Sequence, residues 1–478
     1  MSLRQLSIAS LLLFTISLQA SPPPLQIGEN GRYLVEPDGS AFIWIGDTAW
    51  ELFHKLDREQ ALHYLDDRAA KGFTVVQAVV LAELNGLRVP NAYGDLPLHD
   101  LDPTRPNEAY FQHVDFIVDE AEKRGLYIGM LPTWGDKVPS SNPGAGPIVF
   151  NPENASRFGA FLGDRYKSDP IIWILGGDRE VMNQNVKKTW DAMGRSLKAS
   201  SEGKQLLTYH PRGNETSATW FSDSDWLDFH MYQIGHEPRT ANLHRLLGKS
   251  RQSQPVKPVV DGEPAYEDIP VRFWNYLDFS TPTRAPEHVL DENGYIVKPE
   301  YFRDGFITPH DVRIHAYWDF LGGAAGHTYG HNAVWQMYRP GDPIALPTLR
   351  DWRSALDRPA AAQMIHLRSL WEKRPLEKLV PGGDFIASSP PKHSIWAHSD
   401  DDSYALVYLP DGGAVAIDTS ALAMPSFTAS WYNPSTGQSA AIGSFTQSQS
   451  PTFTAPATSA YPDWLLVLDS SRADYPDL

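Results

Sequence analysis

The chain has 478 residues, 42% hydrophobic and 21% charged, so it can bury a sizeable core and is not a disordered polymer. A formal net charge of −17 argues against nucleic acid or an anionic membrane surface as partner, although a local basic cleft could still receive an acidic polysaccharide. With no cysteine there is no disulfide, no thiolate metal site and no cysteine nucleophile.

Arg4 precedes an apolar stretch around Leu11–Phe14, and Leu18-Gln19-Ala20 precedes Ser21-Pro22-Pro23-Pro24. This run is too short to span a bilayer and reads as a secretory signal cleaved after Ala20, with Leu18 departing from the usual small residue. Residues 1–20 are therefore expected to be a signal peptide, and the mature protein periplasmic or secreted from a bacterium. No later run is long enough to span a bilayer, so no membrane insertion is expected.

From Ala41 to about Ala325, apolar runs alternate with amphipathic stretches, the pattern of parallel strands joined by helices. Phe42–Ile45 reads as a first strand ending at Gly46-Asp47. Arg58–Lys71 follows as a helix with Leu62, Leu65 and Ala69 on one face and Gly72 as its stop. Further strands are predicted at Phe73–Leu81, Leu126–Leu131, Ile171–Leu175, Leu206–Tyr209, Trp226–Met231, Val259–Asp261 and Ala324–Tyr329. Helices are predicted over Ala109–Lys123, Pro152–Tyr166, about Asn185–Ala199 and Asp311–Leu321. Eight such repeats close a (β/α)8 TIM barrel. Long loops at 83–108, 133–150 and 264–308 follow strands and fall on the face where such barrels carry their chemistry. Residues 346–374 read as one or two helices. Beyond Val380 the texture changes to short alternating runs, including Ser403–Tyr408, Phe427–Trp431 and Trp464–Leu468. The fold class is thus α/β, a barrel over 21–375 followed by a small antiparallel β-sandwich over 376–478.

Two carboxylates end apolar strands: Asp178 after Ile171-Ile172-Trp173-Ile174-Leu175-Gly176-Gly177, and Glu263 after Val259-Val260-Asp261-Gly262. One acid to protonate a leaving oxygen and a second to act at the anomeric carbon are what hydrolysis of a glycosidic bond requires. Asp47, Glu83 and Glu180 are further acids at strand ends, and Asp261 would share the face of Glu263 if its strand continued regularly. Trp134, His210, His230 and Tyr232 lie near other strand ends. His327, Tyr329 and His331 fall on one side of an extended segment, suited to sugar hydroxyls. His-x-x-x-His can bind zinc on a helix, but Gly326 and Gly330 argue against a helix there, so no metal is expected. No Gly-x-Ser-x-Gly elbow is present, and no Gly-x-Gly-x-x-Gly follows a strand, so neither serine-hydrolase chemistry nor a dinucleotide cofactor is expected.

These segments together resemble the apiosidase-like proteins of glycoside hydrolase family 140. The resemblance runs through Gly46-Asp47-Thr48-Ala49-Trp50, Gly72-Phe73-Thr74-Val75-Val76-Gln77, Gly177-Asp178-Arg179, Gly262-Glu263-Pro264-Ala265-Tyr266-Glu267, Ala325–Asn332, Gln363-Met364 and the Trp431–Gly437 turn. It implies a clan of (β/α)8 barrels with a C-terminal β-domain, Asp178 as acid/base after strand four and Glu263 as nucleophile after strand seven. Most of the wider clan has Asn-Glu where this chain has Gly-Asp, which fits the apiosidase-like pattern rather than a cellulase or mannanase. The implied substrate is apiose linked within plant pectin. Asp47, Trp50, Glu83, Trp134, Arg179, His210, His230, Tyr232, His327, Tyr329 and His331 are the candidate substrate-binding residues. The competing reading is a non-catalytic carbohydrate- or collagen-binding protein on a barrel scaffold.

Overall fold

The computed structural model describes residues 21–141, 144–448, 450–457 and 461–478; the expected signal segment lies outside them. Eight parallel strands form the barrel: β1 (Trp44–Thr48), β2 (Val75–Leu81), β3 (Tyr127–Thr133), β4 (Ile171–Gly176), β5 (Leu207–His210), β6 (His230–Gln233), β7 (Val259–Glu263) and β8 (Gly326–Tyr329). Every residue in them is buried, as expected for strands covered on both faces. The hydrogen-bonded order runs β5-β4-β3-β2-β1-β8-β7-β6. β5 and β6 meet without a regular ladder. Asp228 N–H donates to Leu207 O at 2.9 Å and the Thr208 hydroxyl to Phe229 O at 2.7 Å, which seals the ring.

The crossover helices include α1 (Arg58–Ala70), α2 (Glu108–Glu122), α3 (Pro152–Arg165), α4 (Gln184–Ser200), α5 (Asn242–Gln252) and α6 (Pro309–Leu321). Reciprocal side-chain caps start three of them: Asp57 with Gln60, Asn151 with Asn154, and Thr308 with Asp311. The buried face of α1 is Ala61, Tyr64, Leu65 and Arg68, one step round from the apolar face read in the sequence. The shift arises because Tyr64 and Arg68 turn inward to hold the Asp47 carboxylate, Arg68 Nε at 2.7 Å. The sixth strand also begins later than expected, at His230 instead of Trp226. The Trp226 indole instead packs behind the barrel, its Nε1 donating to Asp191 of α4 at 2.9 Å.

The C-terminal domain is a six-stranded antiparallel sheet with a two-stranded sheet (Ala414–Ala416 and Thr452–Thr454) over one face, a lopsided form of the expected sandwich. Its central strands alternate sharply. Tyr404, Leu406, Tyr408, Leu465 and Val467 join the barrel's core, whereas Ala405, Val407, Leu409, Leu466 and Leu468 face the small sheet. Helix α6 lies between barrel and sheet, so Val312 through Leu321 are all buried. Tyr317 of α6 stacks on Tyr408 at 4.7 Å, and Arg313 reaches both oxygens of Asp463 at 2.9 and 2.7 Å. Among the described residues no helix is long and apolar enough to cross a membrane.

Candidate active site

Strand β4 ends in a turn that only glycines permit. Gly176 has φ +88° and a Cβ there would stand 2.3 Å from the His210 carbonyl. Gly177 has φ +114°, and a Cβ would meet the Trp134 ring at 2.7 Å. The turn leaves Asp178 itself at φ 48°, a left-handed conformation uncommon outside glycine and frequent at functional sites. The Asp178 carboxylate accepts from Arg179 Nη1 at 3.0 Å and from Gly213 N–H at 3.3 Å.

Strand β7 delivers Glu263 through a register irregularity. Asp261 pairs with Tyr232, but Glu263 pairs with the next residue, Gln233, so the irregularity at Gly262 reverses which face Glu263 occupies. A Cβ at 262 would stand 2.4 Å from Met231 Sδ, so the Met231 side chain fills the space beside this glycine. Through the irregularity Asp261 belongs to a group with Asp319 of α6, while Glu263 reaches two histidines. His210 Nε2 lies 3.2 Å from Oε2, and His236 Nε2 lies 3.4 Å from Oε1.

The tautomers of both histidines follow from their other nitrogens. His210 Nδ1 accepts the Asp178 N–H at 3.3 Å, and His236 Nδ1 accepts the Tyr266 N–H at 3.4 Å. A ring nitrogen that accepts a backbone proton carries none, so the neutral rings hold theirs on Nε2, facing Glu263. Burial alone would raise the Glu263 pKa, but the contacts with His210 and His236 outweigh it and hold the carboxyl at about 2. Asp178 is pushed the other way, above the usual carboxylate range, first by its dense surroundings and then by the charge of Glu263, with Arg179 opposing. Its side chain keeps 37% exposure, so it remains open to a ligand. One acid is held ionised and its neighbour is biased toward its proton, the division of labour that acid-assisted displacement uses.

The family model for the apiosidase-like catalytic domain matches residues 28–378. The chain belongs to the apiosidase-like family. Residues 380–469 match a second family model, for a proposed collagen-binding domain of a collagenase. A solved structure described only as a glycoside hydrolase is 31% identical, covers 95% of this chain and 100% of its own, and has a TM-score of 0.79. A glycoside hydrolase family 5 structure from Bacteroides vulgatus ATCC 8482 is likewise 31% identical, with 96% and 97% covered and a TM-score of 0.79. No curated protein matches the chain. This apiosidase-like chain is a glycoside hydrolase on a TIM barrel, and its substrate is a carbohydrate.

Of the residues singled out in the sequence, this apiosidase-like fold brings one set together around Asp178 and Glu263. Trp50, Trp134 and His210 form a contiguous ring cluster, with centroids 5.2 Å apart for Trp50–Trp134 and 5.5 Å for Trp50–His210. Arg179 lies beside Asp178, and Glu83 is close enough that burial, then Glu51, Asp136 and Asp178, drive its pKa well up despite Arg179. Glu180 turns aside to accept the Ser141 N–H at 2.8 Å. On the same face, loops after β1, β2, β3, β7 and β8 enclose a groove of about 640 Å3 whose lining includes His54, Leu84, Arg284 and Arg339 but neither acid.

The others are placed elsewhere. Asp47 faces helix α1, where Tyr64 and Arg68 hold its carboxylate. His230 opens β6 instead of ending it, with its two nitrogens 3.0 and 2.7 Å from the hydroxyls of Ser217 and Ser253. The Tyr329 hydroxyl donates to Glu267 at 2.7 Å, and His331 sits 3.2 Å from Asp268. Tyr232 and His327 both contact Asp319, His327 Nδ1 at 2.6 Å. Asp261 does not share the face of Glu263, because the irregularity at Gly262 separates them. His236 belongs to the site and was not singled out; its signal was a histidine following Gly235 just beyond the true end of β6.

Asp261, Asp319 and His327 offer ligand atoms within 4.8 Å of one another, all fully buried. Asp319 and His327 touch at hydrogen-bond distance, 2.6 Å, whereas two tetrahedral ligands about 2.0–2.1 Å from an ion stand roughly 3.3 Å apart. Burial, then the charge of Asp319, raises the pKa of Asp261 well above normal. Asp261 also accepts the Glu263 N–H at 3.2 Å, which ties the cluster to the irregularity that aims Glu263.

Proposed function

We propose that this protein is an exported, retaining glycoside hydrolase that cleaves an apiosidic linkage in plant pectic glycan. Export rests on the N-terminal sequence, and the sugar rests on the family. The reaction rests on one observation above all: the Glu263 carboxylate lies 3.2 and 3.4 Å from two imidazole Nε2 atoms, while burial and then the Glu263 charge raise the pKa of Asp178.

Glu263 is the nucleophile and Asp178 the acid/base in this reading. The Glu263 carboxylate attacks the anomeric carbon as the glycosidic C–O bond breaks, and the Asp178 acid gives its proton to the departing oxygen. A glycosyl ester on Glu263 results. Asp178, now ionised, takes a proton from water, whose oxygen attacks the anomeric carbon and returns Glu263 to its carboxylate. Two displacements restore the original configuration. Trp50 and Trp134, both buried, pack against the His210 ring that faces Glu263, and Arg179 holds Asp178 in place. The C-terminal domain supports the barrel through α6 and supplies no reacting group.

Incubation with pectic fragments, including apiose-bearing side chains, tests the substrate; release of apiose is the expected result. Proton NMR of the first-formed anomer, caught before mutarotation, tests the stereochemistry. Net inversion would remove the nucleophile role of Glu263.

A further inference from the structure

A chain of aromatic rings leads from the nucleophile to the protein surface. The His236 ring, in contact with Glu263, has its centroid 5.9 Å from Phe273. Phe273 in turn lies 5.3 Å from Trp274 and 6.2 Å from Phe279. The outer two are open to solvent, Trp274 at 47% and Phe279 at 50% exposure. All three belong to the long loop after β7, on the barrel face where the acids sit. Isolated exposed apolar residues are ordinary, but two half-exposed rings that both pack on one ring beside the reaction centre mark a ligand surface.

The loop is braced to hold this surface. Arg272 and Arg284 bracket the segment at φ 52° and 61°, conformations that persist only where surroundings fix them. Arg272 Nε contacts Glu237 at 3.0 Å, and Arg284 caps the Thr281 carbonyl at 3.3 Å while lying 5.7 Å over the Phe279 ring. Rigid aromatic area loses little entropy when a ligand stacks on it. A pyranose ring suits such a surface, because its C–H face is apolar while its rim of hydroxyls stays in water.

We propose that Trp274 and Phe279 form a stacking platform for a pyranose ring of the glycan that carries the cleaved sugar, beyond the bond being broken. This deepens the glycosidase reading and rests on it for the choice of ligand. The platform gives the enzyme a preference for a polymeric or oligomeric substrate over a short glycoside.

The test uses the full chain and two probes, pectic polysaccharide and an aryl apioside. In an Asp178→Asn background, Trp274→Ala with Phe279→Ala should weaken retardation in a pectin-containing gel by about tenfold in apparent affinity. Trp274→Phe, which keeps a ring, should restore most of it. In the active enzyme, the double substitution should lower the ratio of kcat/KM on polysaccharide to that on the aryl apioside by a similar factor, with an unchanged thermal midpoint. Equal affinities, or no retardation of the Asp178→Asn protein by pectin, would overturn the platform even where the aryl apioside is still hydrolysed. A wild-type dimer that becomes monomeric on substitution, with glycan affinity unaltered, would also overturn it. Ring-dependent pectin binding without hydrolysis of either probe would leave the platform standing and remove the catalytic reading instead.

Discussion

His236 Nε2 stands 3.4 Å from Oε1 of Glu263, the counterpart of His210 at 3.2 Å from Oε2, so each carboxylate oxygen faces one imidazole. Both rings carry their proton on that side because a backbone N–H occupies the other nitrogen. The contacts with these two rings hold the Glu263 carboxyl low against the effect of its burial.

Removing one of these donors should shift the titration of Glu263. In His236→Ala the carboxyl should rise from about 2, since burial continues to raise it while one opposing contact is lost. The acidic limb of the kcat/KM profile should move to higher pH accordingly. A limb that stays where it is in the wild type would show that His236 does not tune Glu263.

Replacing the acids separates their roles. Asp178→Asn should lower turnover on a natural glycan by about 10²–10⁴-fold, the usual contribution of general acid–base catalysis. Its loss should be smaller on an aryl glycoside for the first step, because a nitrophenolate departs without help from a proton. Glu263→Gln should lose turnover on both substrates, since the bond to the anomeric carbon no longer forms. Steady-state and burst kinetics on the two substrates check this, and equal losses for Asp178→Asn on both would contradict its role.

The same two substitutions should have opposite effects on stability. The folded pKa of Asp178 lies above an unfolded value of about 3.9, so the wild type loses stability as pH rises through that window. Asp178→Asn should then melt higher than wild type at pH 7 and match it at strongly acidic pH. Glu263 is held at about 2 against an unfolded value of about 4.3, so its charge stabilises the native state above that pH and the benefit is lost as pH falls toward 2. Glu263→Gln should melt lower at pH 7. Thermal midpoints measured from strongly acidic to neutral pH provide the check.

At the junction of the two domains, Arg313 and Asp463 form a paired charge with side-chain exposures of 1% and 0%. Asp463→Ala would leave the guanidinium buried without its partner and should cost about 3–5 kcal/mol in denaturant unfolding. A chain ending near Pro375 should fare worse, because it uncovers the face of α6 that Tyr408 and its neighbours bury. If that shortened chain were soluble, fully stable and fully active, the supporting role of the C-terminal domain would be mistaken.

Much of this was legible in the sequence for a plain reason. The apolar run Ile171–Leu175 ending in Gly-Gly-Asp, and Val259–Val260 leading to Gly-Glu, mark strands whose ends carry acids, and strand ends are where a barrel gathers its chemistry. The alternation of Tyr404, Leu406 and Tyr408 with Ala405, Val407 and Leu409 likewise shows a sheet with two distinct faces. In the barrel strands that signal disappears. They are buried on both sides, so polarity no longer tells which residues point to the interior and which to the helices. Asp47, Tyr232 and His327 were for that reason indistinguishable from His210 by sequence, yet they face α1 and α6. The reversal at Gly262 depends on the register with the neighbouring strand, and the place of His236 on a Tyr266 N–H some thirty residues away in the chain. The sequence by itself determined the order of elements and the two acids at their ends. Which side chains converge on those acids was decided by contacts between strands distant in the chain, where one glycine and one register shift settle the face each residue takes.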